Sequence, residues 1–180
     1  CRTPALFIPA IHFSSTAATK NFNGFVNMDS NSNTMAQITD ELRPDTKARV
    51  EKVINSNIAR TLGFSFVESG TDYCIARLHR SDGVLNSNGR VNGGVISAFI
   101  DKVATAAAWA NNVNGTGSRG TTISLTVNYM SAGAKTDLIG TARVSRRGGS
   151  VVFVTVDVHD EDGGFVAQGL ATYKLNPKPH

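Results

Sequence analysis

The stretch RVNGGVISAFIDKVATAAAWA, from Arg90 to Ala110, constrains the fold more than any other part of the chain. Its spacing is helical, and Val, Ile, Ala, Phe and Trp run nearly all the way round it. Such a helix must be covered on most sides, because one buried stripe would leave the rest of its apolar surface in water. No apolar run approaches the length that spans a bilayer, so a transmembrane chain is excluded and the cover must be protein.

The remaining sequence supplies that cover as strands. After NNVNGTGSRG the hydrophobic period changes from helical to two and stays there. In TTISLTVNYM, the spacing puts Ile123, Leu125, Val127 and Tyr129 on one face and Thr122, Ser124, Thr126 and Asn128 on the other. DLIGTARVSR follows, then SVVFVTVDVHD with Val152, Val154, Val156 and Val158 in phase, and GGFVAQGLATYKL closes the series. Four or more antiparallel strands joined by short turns read as a meander. Upstream, a short helix over Thr34–Leu42 is expected to stop at Pro44. A second helix follows, capped by Asp45 or Thr46, with Val50, Val53, Ile54 and Ile58 at helical spacing. Leu62–Glu68 and Asp72–Arg80 read as strands, and Ser81–Gly89 as turn and loop. The class is α+β: one curved antiparallel sheet of five or six strands wrapped round a long central helix, the hotdog architecture.

Composition narrows the function. At 180 residues, with 41% hydrophobic and 18% charged, the chain suits one domain with a real core. The net charge of +4 is spread out, and no Lys/Arg block with interleaved aromatics argues for nucleic acid. Cys1 and Cys74 make no disulfide framework, so a reducing compartment is the default. Residues 1–33 are rich in Ser, Thr, Ala and Asn, with no acid before Asp29, and read as a disordered leader. A cloning leader, upstream read-through and a transit segment are all open, with Met28 and Met35 as possible starts. Residues 34–180 form the expected single domain, cytoplasmic by default and organellar if the leader is a genuine transit segment.

Two features of the apolar helix call for chemistry. Asn92 is a good N-cap, so Asn92-Gly93-Gly94 reads simply as a helix start. Two glycines in a first turn nevertheless cost roughly 1 kcal/mol each relative to Ala. What they provide is bare backbone N–H at the positive end of the helix, suited to an oxyanion or a polarised carbonyl. Asp101 lies four residues from both Ser97 and Thr105, so a local polar stripe is one reading of it. The other is functional, because a carboxylate in an apolar helix with no helical cation partner is costly to bury. Gly94 and Asp101 are seven residues apart, about 10 Å along the axis. One small reacting group cannot touch both, so a site using both needs two chains with antiparallel helices.

At NSNGRVNGGVISAFID the chain resembles hotdog-fold acyl-CoA thioesterases of the PaaI and thioesterase-superfamily-member-2 type. Their pattern is Asn, a Gly-containing loop, His-Gly-Gly, and a helix with Asp nine residues after the His. Asn86, Gly89, Asn92-Gly93-Gly94 and Asp101 stand at those spacings, and the similarity runs on through TTISLTVNYMSAG to YKL, over about residues 45–175. The resemblance implies Asp101 as general base, or less favourably as nucleophile, with Gly93 N–H polarising the carbonyl. It implies that Asn86 fixes substrate or water, that Thr122 positions the water, and that Gly94 meets the substrate. It also implies a homodimer or homotetramer whose sites draw on two subunits, and no cofactor, coenzyme A being part of the substrate. The family's His is Asn92 here, which can cap and donate but cannot supply a cation or a titrating ring.

Other signals are set aside or weighed. GTGSRG follows a helix and precedes a strand, the reverse of a dinucleotide fingerprint. No Asp has a His five residues later, so the hydratase pattern is absent. His12, His79, His159 and His180 lack metal-ligand spacing, and no metal is expected. His159, beside Asp160, reads as a polar strand end. Gly-x-Ser-x-Gly is absent. In SRRGGS, Arg146 and Arg147 are either solvated turn charges or, with Gly148, a clamp on coenzyme A phosphates, the use that similar proteins make of this turn. Two functions stand at this point: an acyl-CoA thioesterase, and a non-catalytic acyl-CoA-binding or regulatory domain suggested by Asn92.

Overall fold

A computed structural model of the chain describes residues 41–112, 119–131 and 135–176. In chain order the elements are α1 (Pro44–Ile54), α2 (Asn57–Thr61), β1 (Phe64–Gly70), β2 (Tyr73–Leu78), α3 (Gly93–Trp109), β3 (Arg119–Tyr129), β4 (Leu138–Arg147), β5 (Val151–Asp160) and β6 (Phe165–Asn176). A 3-10 turn at Asp82–Val84 interrupts the loop before α3. The expected leader over residues 1–33 lies outside the described residues. So does the expected helix over Thr34–Leu42, except for Glu41 and Leu42, neither of which is helical.

All six strands form one sheet in the order β1-β2-β4-β5-β6-β3, every pair antiparallel. The expected meander holds only for β4-β5-β6. β3 does not pair with β4, its neighbour in sequence, but crosses to the far edge and pairs with β6. Period-two patterning identifies strands without fixing their order, and the crossover lets the sheet curve round α3.

α3 lies in the concavity of this sheet, with Ile96, Phe99, Ile100, Val103, Ala104 and Ala107 all buried. Each fully buried large apolar side chain contributes about 1.5–3 kcal/mol, so this one helix anchors the core. Two glycines let it sit close. A Cβ at Gly140 would stand 2.7 Å from the Phe99 ring, and one at Gly169 would overlap the Ile100 side chain. The other side of α3 is covered by α1, through the fully buried Val50 and Ile54. Ile58, expected on the same face, falls in α2 and is exposed.

Pro44 is the first residue of α1. At the first helical position its missing N–H has no intrahelical acceptor to lose, and its fixed φ suits the helix. Arg43 occupies the cap position, so neither Asp45 nor Thr46 is the N-cap.

The C-terminal end of α3 is held by a residue that the sequence did not single out. Asp72, in the β1–β2 turn, has φ 65°, a left-handed conformation uncommon outside glycine. Its N–H donates to Ala110 O at 2.6 Å and its carbonyl accepts from Val144 N at 2.8 Å. Its carboxylate accepts from Arg147 (Nε at 3.0 Å, a terminal nitrogen at 2.5 Å) and from Asn111 at 3.0 Å. Arg147 also donates to Ala108 O at 3.1 Å, placing a cation at the negative end of the helix. Losing the carboxylate is expected to destabilise the fold by about 2 kcal/mol, the scale of charged hydrogen bonds. Asp72→Ala should lose about 1 kcal/mol more than Asp72→Gly, because alanine keeps the left-handed strain that glycine relieves. Urea unfolding of the two variants measures both effects, and equal stabilities would contradict the backbone argument.

Candidate active site

The site builds from the start and the middle of α3. At its start, the Asn92 side chain accepts from Gly94 N–H at 2.8 Å, the expected N-cap. That bond has a consequence for the expected binding residues. Gly94 N–H is occupied by the cap, whereas Gly93 stands at the first helical position, where N–H groups have no intrahelical acceptor. Gly93 is therefore the better placed of the two donors.

The loop before it is organised by Asn86. Its Oδ1 accepts from Asn88 N at 2.9 Å and Arg90 N at 3.2 Å, while its backbone bonds Arg90 and Gly89. Asn86 thus shapes the turn that delivers Asn92, and it also lines a pocket of about 290 Å³ with Arg90, Gly93 and Tyr129. Gly89 supplies the positive φ, 69°, that this turn requires.

Tyr129 went unnoticed as a site residue. Its hydroxyl donates to Gly93 O at 2.7 Å and lies 2.6 Å from Ser97 Oγ. A Cβ on Gly93 would come within 3.3 Å of its ring. The strand pattern placed Tyr129 on a face with apolar neighbours; nothing in the spacing pointed its hydroxyl at the helix start.

Eight residues further along α3, Asp101 is half-buried and accepts from Thr122 Oγ1 at 2.6 Å. Strict alternation put Thr122 on the opposite face of β3 from Leu125, Val127 and Tyr129, so this contact corrects the pattern. The cause is a β-bulge. β3 is in register with β6 at Thr122↔Tyr173, slips, and resumes at Ser124↔Thr172, leaving Ile123 unpaired and 55% exposed. An extra residue in one strand inverts which face the side chains take beyond it. Thr122 consequently faces α3 together with Leu125, Val127 and Tyr129, and a hydroxyl meets the one carboxylate of the helix.

Tyr173 stands opposite Thr122 and receives Trp109 Nε1–H at 3.1 Å. Burial pushes its phenol pKa up against that hydrogen bond, and the negative charge of Asp101 adds to the rise.

In the turn after β4, two of the three residues expected to clamp phosphates have partners within the fold. Arg147 is committed to Asp72 and Ala108, and Gly148 N–H donates to Val151 O at 2.8 Å, closing the hairpin. Arg146 alone of the three keeps an exposed charge there.

A second polar array has the outline of a catalytic triad. Ser65 Oγ lies 2.9 Å from His79 Nε2, and His79 Nδ1 lies 2.9 Å from Asp137 Oδ2. Asp137 also accepts from Arg80 N at 2.8 Å and Arg77 at 3.3 Å. The array straps β1 and β2 to the start of β4. Burial alone would raise the Asp137 pKa, yet the bonds from Arg80 N–H, His79 and Arg77 outweigh it and hold the carboxyl below the usual range. Among the described residues, no group of three or more His, Cys, Asp and Glu side chains is gathered for a metal, and no helix is long and apolar enough to cross a membrane.

Comparison with known proteins agrees with the architecture. The family model described as the thioesterase superfamily matches residues 88–167, the segment from the Asn86 loop through α3 to β6. No curated protein matches the sequence. A thioesterase family protein from Silicibacter pomeroyi superposes with a TM-score of 0.68 at 16% identity, covering 73% of this chain and 98% of its own. Zebrafish thioesterase superfamily member 2 gives a TM-score of 0.61 at 22% identity, with 72% and 94% covered. A candidate esterase from Mycobacterium tuberculosis gives 0.63 at 27% identity, with 69% and 100% covered. The fold is the hotdog fold, and the matched segment contains Asn92, Gly93, Asp101, Thr122 and Tyr129.

The Asp137 array generates a pH prediction. A carboxyl held low in the folded state stabilises above its unfolded pKa, about 3.9, and that contribution disappears as pH falls through the lower folded value. Wild type should therefore exceed Asp137→Asn in stability at pH 6, and the gap should close from about pH 4 downward. Thermal unfolding across that range checks it, and a gap independent of pH would contradict it.

Proposed function

We propose that this chain, a hotdog-fold member of the thioesterase superfamily, hydrolyses the thioester of an acyl-coenzyme A by Asp101-assisted attack of water. The observation that carries the reading is the contact of Thr122 with Asp101, the one acidic residue of a largely apolar helix. A binding domain has no need for a half-buried carboxylate, or for a bulge that brings a hydroxyl to it. In the proposed step, Thr122 holds Asp101 Oδ1 and leaves Oδ2 to take a proton from water. The resulting hydroxide adds to the thioester carbon, and Gly93 N–H receives the charge that develops on the carbonyl oxygen. The carbonyl re-forms, the carbon–sulfur bond breaks, and the thiolate leaves with the proton. Asn92, replacing the family's His, keeps the helix start in place through its cap to Gly94.

Gly93 and Asp101 are eight residues apart on one helix, about 12 Å along its axis, so the proposed site takes the donor from one subunit and the carboxylate from another. β3 supports this assembly. It is an edge strand of 11 residues, and the nearby Ile123, Tyr129 and Met130 are each at least 50% exposed. A long unpaired edge is a liability that pairing with a second copy removes.

Asp101→Asn should lower kcat by about a hundredfold or more, the scale of a lost general base, while far-UV circular dichroism stays native. Activity near wild type would sink the assignment. Asn92→His restores the family residue, and turnover should rise if the missing imidazole limits the rate. No gain in a folded variant would show that the cap suffices.

A further inference from the structure

A pocket of about 700 Å³ opens along the second half of α3, lined among others by Arg49, Lys102, Thr105, Trp109, Arg119 and Tyr173. Three of these are cations, and among the described residues no Asp or Glu lines the pocket. Arg49 and Lys102 are half-buried. The Arg49 guanidinium lies over the Trp109 ring, 4.9 Å from its centroid, which keeps its charge at the pocket wall. Neither Lys102 nor Arg119 forms an ion pair with a described residue.

The pocket adjoins the reacting end of the site. Tyr173 lies directly across the β3–β6 pair from Thr122, which holds Asp101. From Asp101 to Trp109 is eight residues, about 12 Å of helix. A group in this pocket is thus reached from the thioester within the length of a short to medium acyl chain. The phosphates of coenzyme A leave the carbonyl on its sulfur side and are set off by the whole pantetheine arm. A methyl-ended chain would desolvate Lys102 and Arg119 and give them no partner, which is unfavourable. A carboxylate at the far end of the acyl chain would satisfy them.

We infer that this pocket selects acyl groups whose far end is anionic, so that the preferred substrates are dicarboxylyl thioesters of short to medium length. The inference rests on the thioesterase reading for its reaction, but the pocket can be tested without turnover. Trp109 is the chain's single tryptophan, so its emission reports on this pocket. The probes are adipamic acid, an amide in place of the thioester with a carboxylate at the other end, and its neutral counterpart hexanamide.

Adipamate should shift the emission saturably, at a concentration at least tenfold lower than hexanamide. That difference should shrink in 0.5 M salt, as expected for a partly exposed ion pair, and collapse in a Lys102→Gln/Arg119→Gln variant. Should the double variant not fold, Arg119→Gln alone, at an exposed position, carries the comparison. An equal response to both probes, or none to either, overturns the inference whatever the protein hydrolyses. In turnover, the kcat/KM ratio of adipoyl-CoA to hexanoyl-CoA should exceed ten and fall toward one in the variant, and a wild-type ratio of one or less overturns it. Saturable adipamate binding without hydrolysis of either thioester would refute the thioesterase reading and leave the pocket's selectivity standing.

Discussion

Enclosure of an all-round apolar helix is the constraint from which the other features follow. α3 buries most of its surface and keeps only a half-exposed stripe through Ser97, Asp101 and Thr105, so the sheet curves round it and α1 packs against part of the remaining side. β3 lies at the far edge beside β6 instead of next to β4. The close seating of α3 leaves no room for side chains at Gly140 and Gly169, and both positions lack one. Its last turn needs partners for carbonyls that have none within the helix, and Arg147 reaches one of them while pairing with Asp72.

Within such an enclosure a carboxylate is tolerable only where something polar meets it. β3 supplies what is needed at the start and the middle of the helix, through Tyr129 at Gly93 and Thr122 at Asp101. The bulge at Ile123 is what allows this, because without the slipped register Thr122 would share the outer face. One irregular residue thus connects strand geometry to the chemistry proposed for the helix. The same seam leads into the cationic pocket, since Tyr173 borders both Thr122 and the space lined by Lys102 and Arg119.

Much of this is legible in the sequence because it is periodic or capped. The helix at Gly93–Trp109, its Asn92 cap, the valines of β5 and the isolation of Asp101 all follow from spacing. What escapes is what a period cannot encode. A bulge leaves no mark in an alternating string, so Thr122 reads as facing away from the helix, although the resemblance implies a place for it beside Asp101. Pro44 is a stop or a start depending on which side of it packs, and the packing of Val50 and Ile54 decides for a start. Asp72 acts through a left-handed turn and an arginine 75 residues away, a pairing that only the folded chain brings together. Arg147 and Gly148, read as a phosphate clamp, each have a partner inside the fold that spacing does not reveal.

The central claim is that one reacting centre draws Asp101 from one subunit and Gly93 from another. It is tested most directly by mixing two inactive variants, Asp101→Ala and Gly93→Pro, through dissociation and reassembly. Proline is tolerated at the first helical position and removes the donor N–H. The Tyr129 ring, 3.3 Å from where a Cβ at Gly93 would lie, must shift slightly, so circular dichroism of each variant accompanies the assay. Each heterodimer would contain one intact site, and its activity on acyl-CoA should return to about half of that of the wild-type dimer. A reassembled mixture that stays inactive, or a monomer shown by light scattering to turn over at the full rate, would contradict the account.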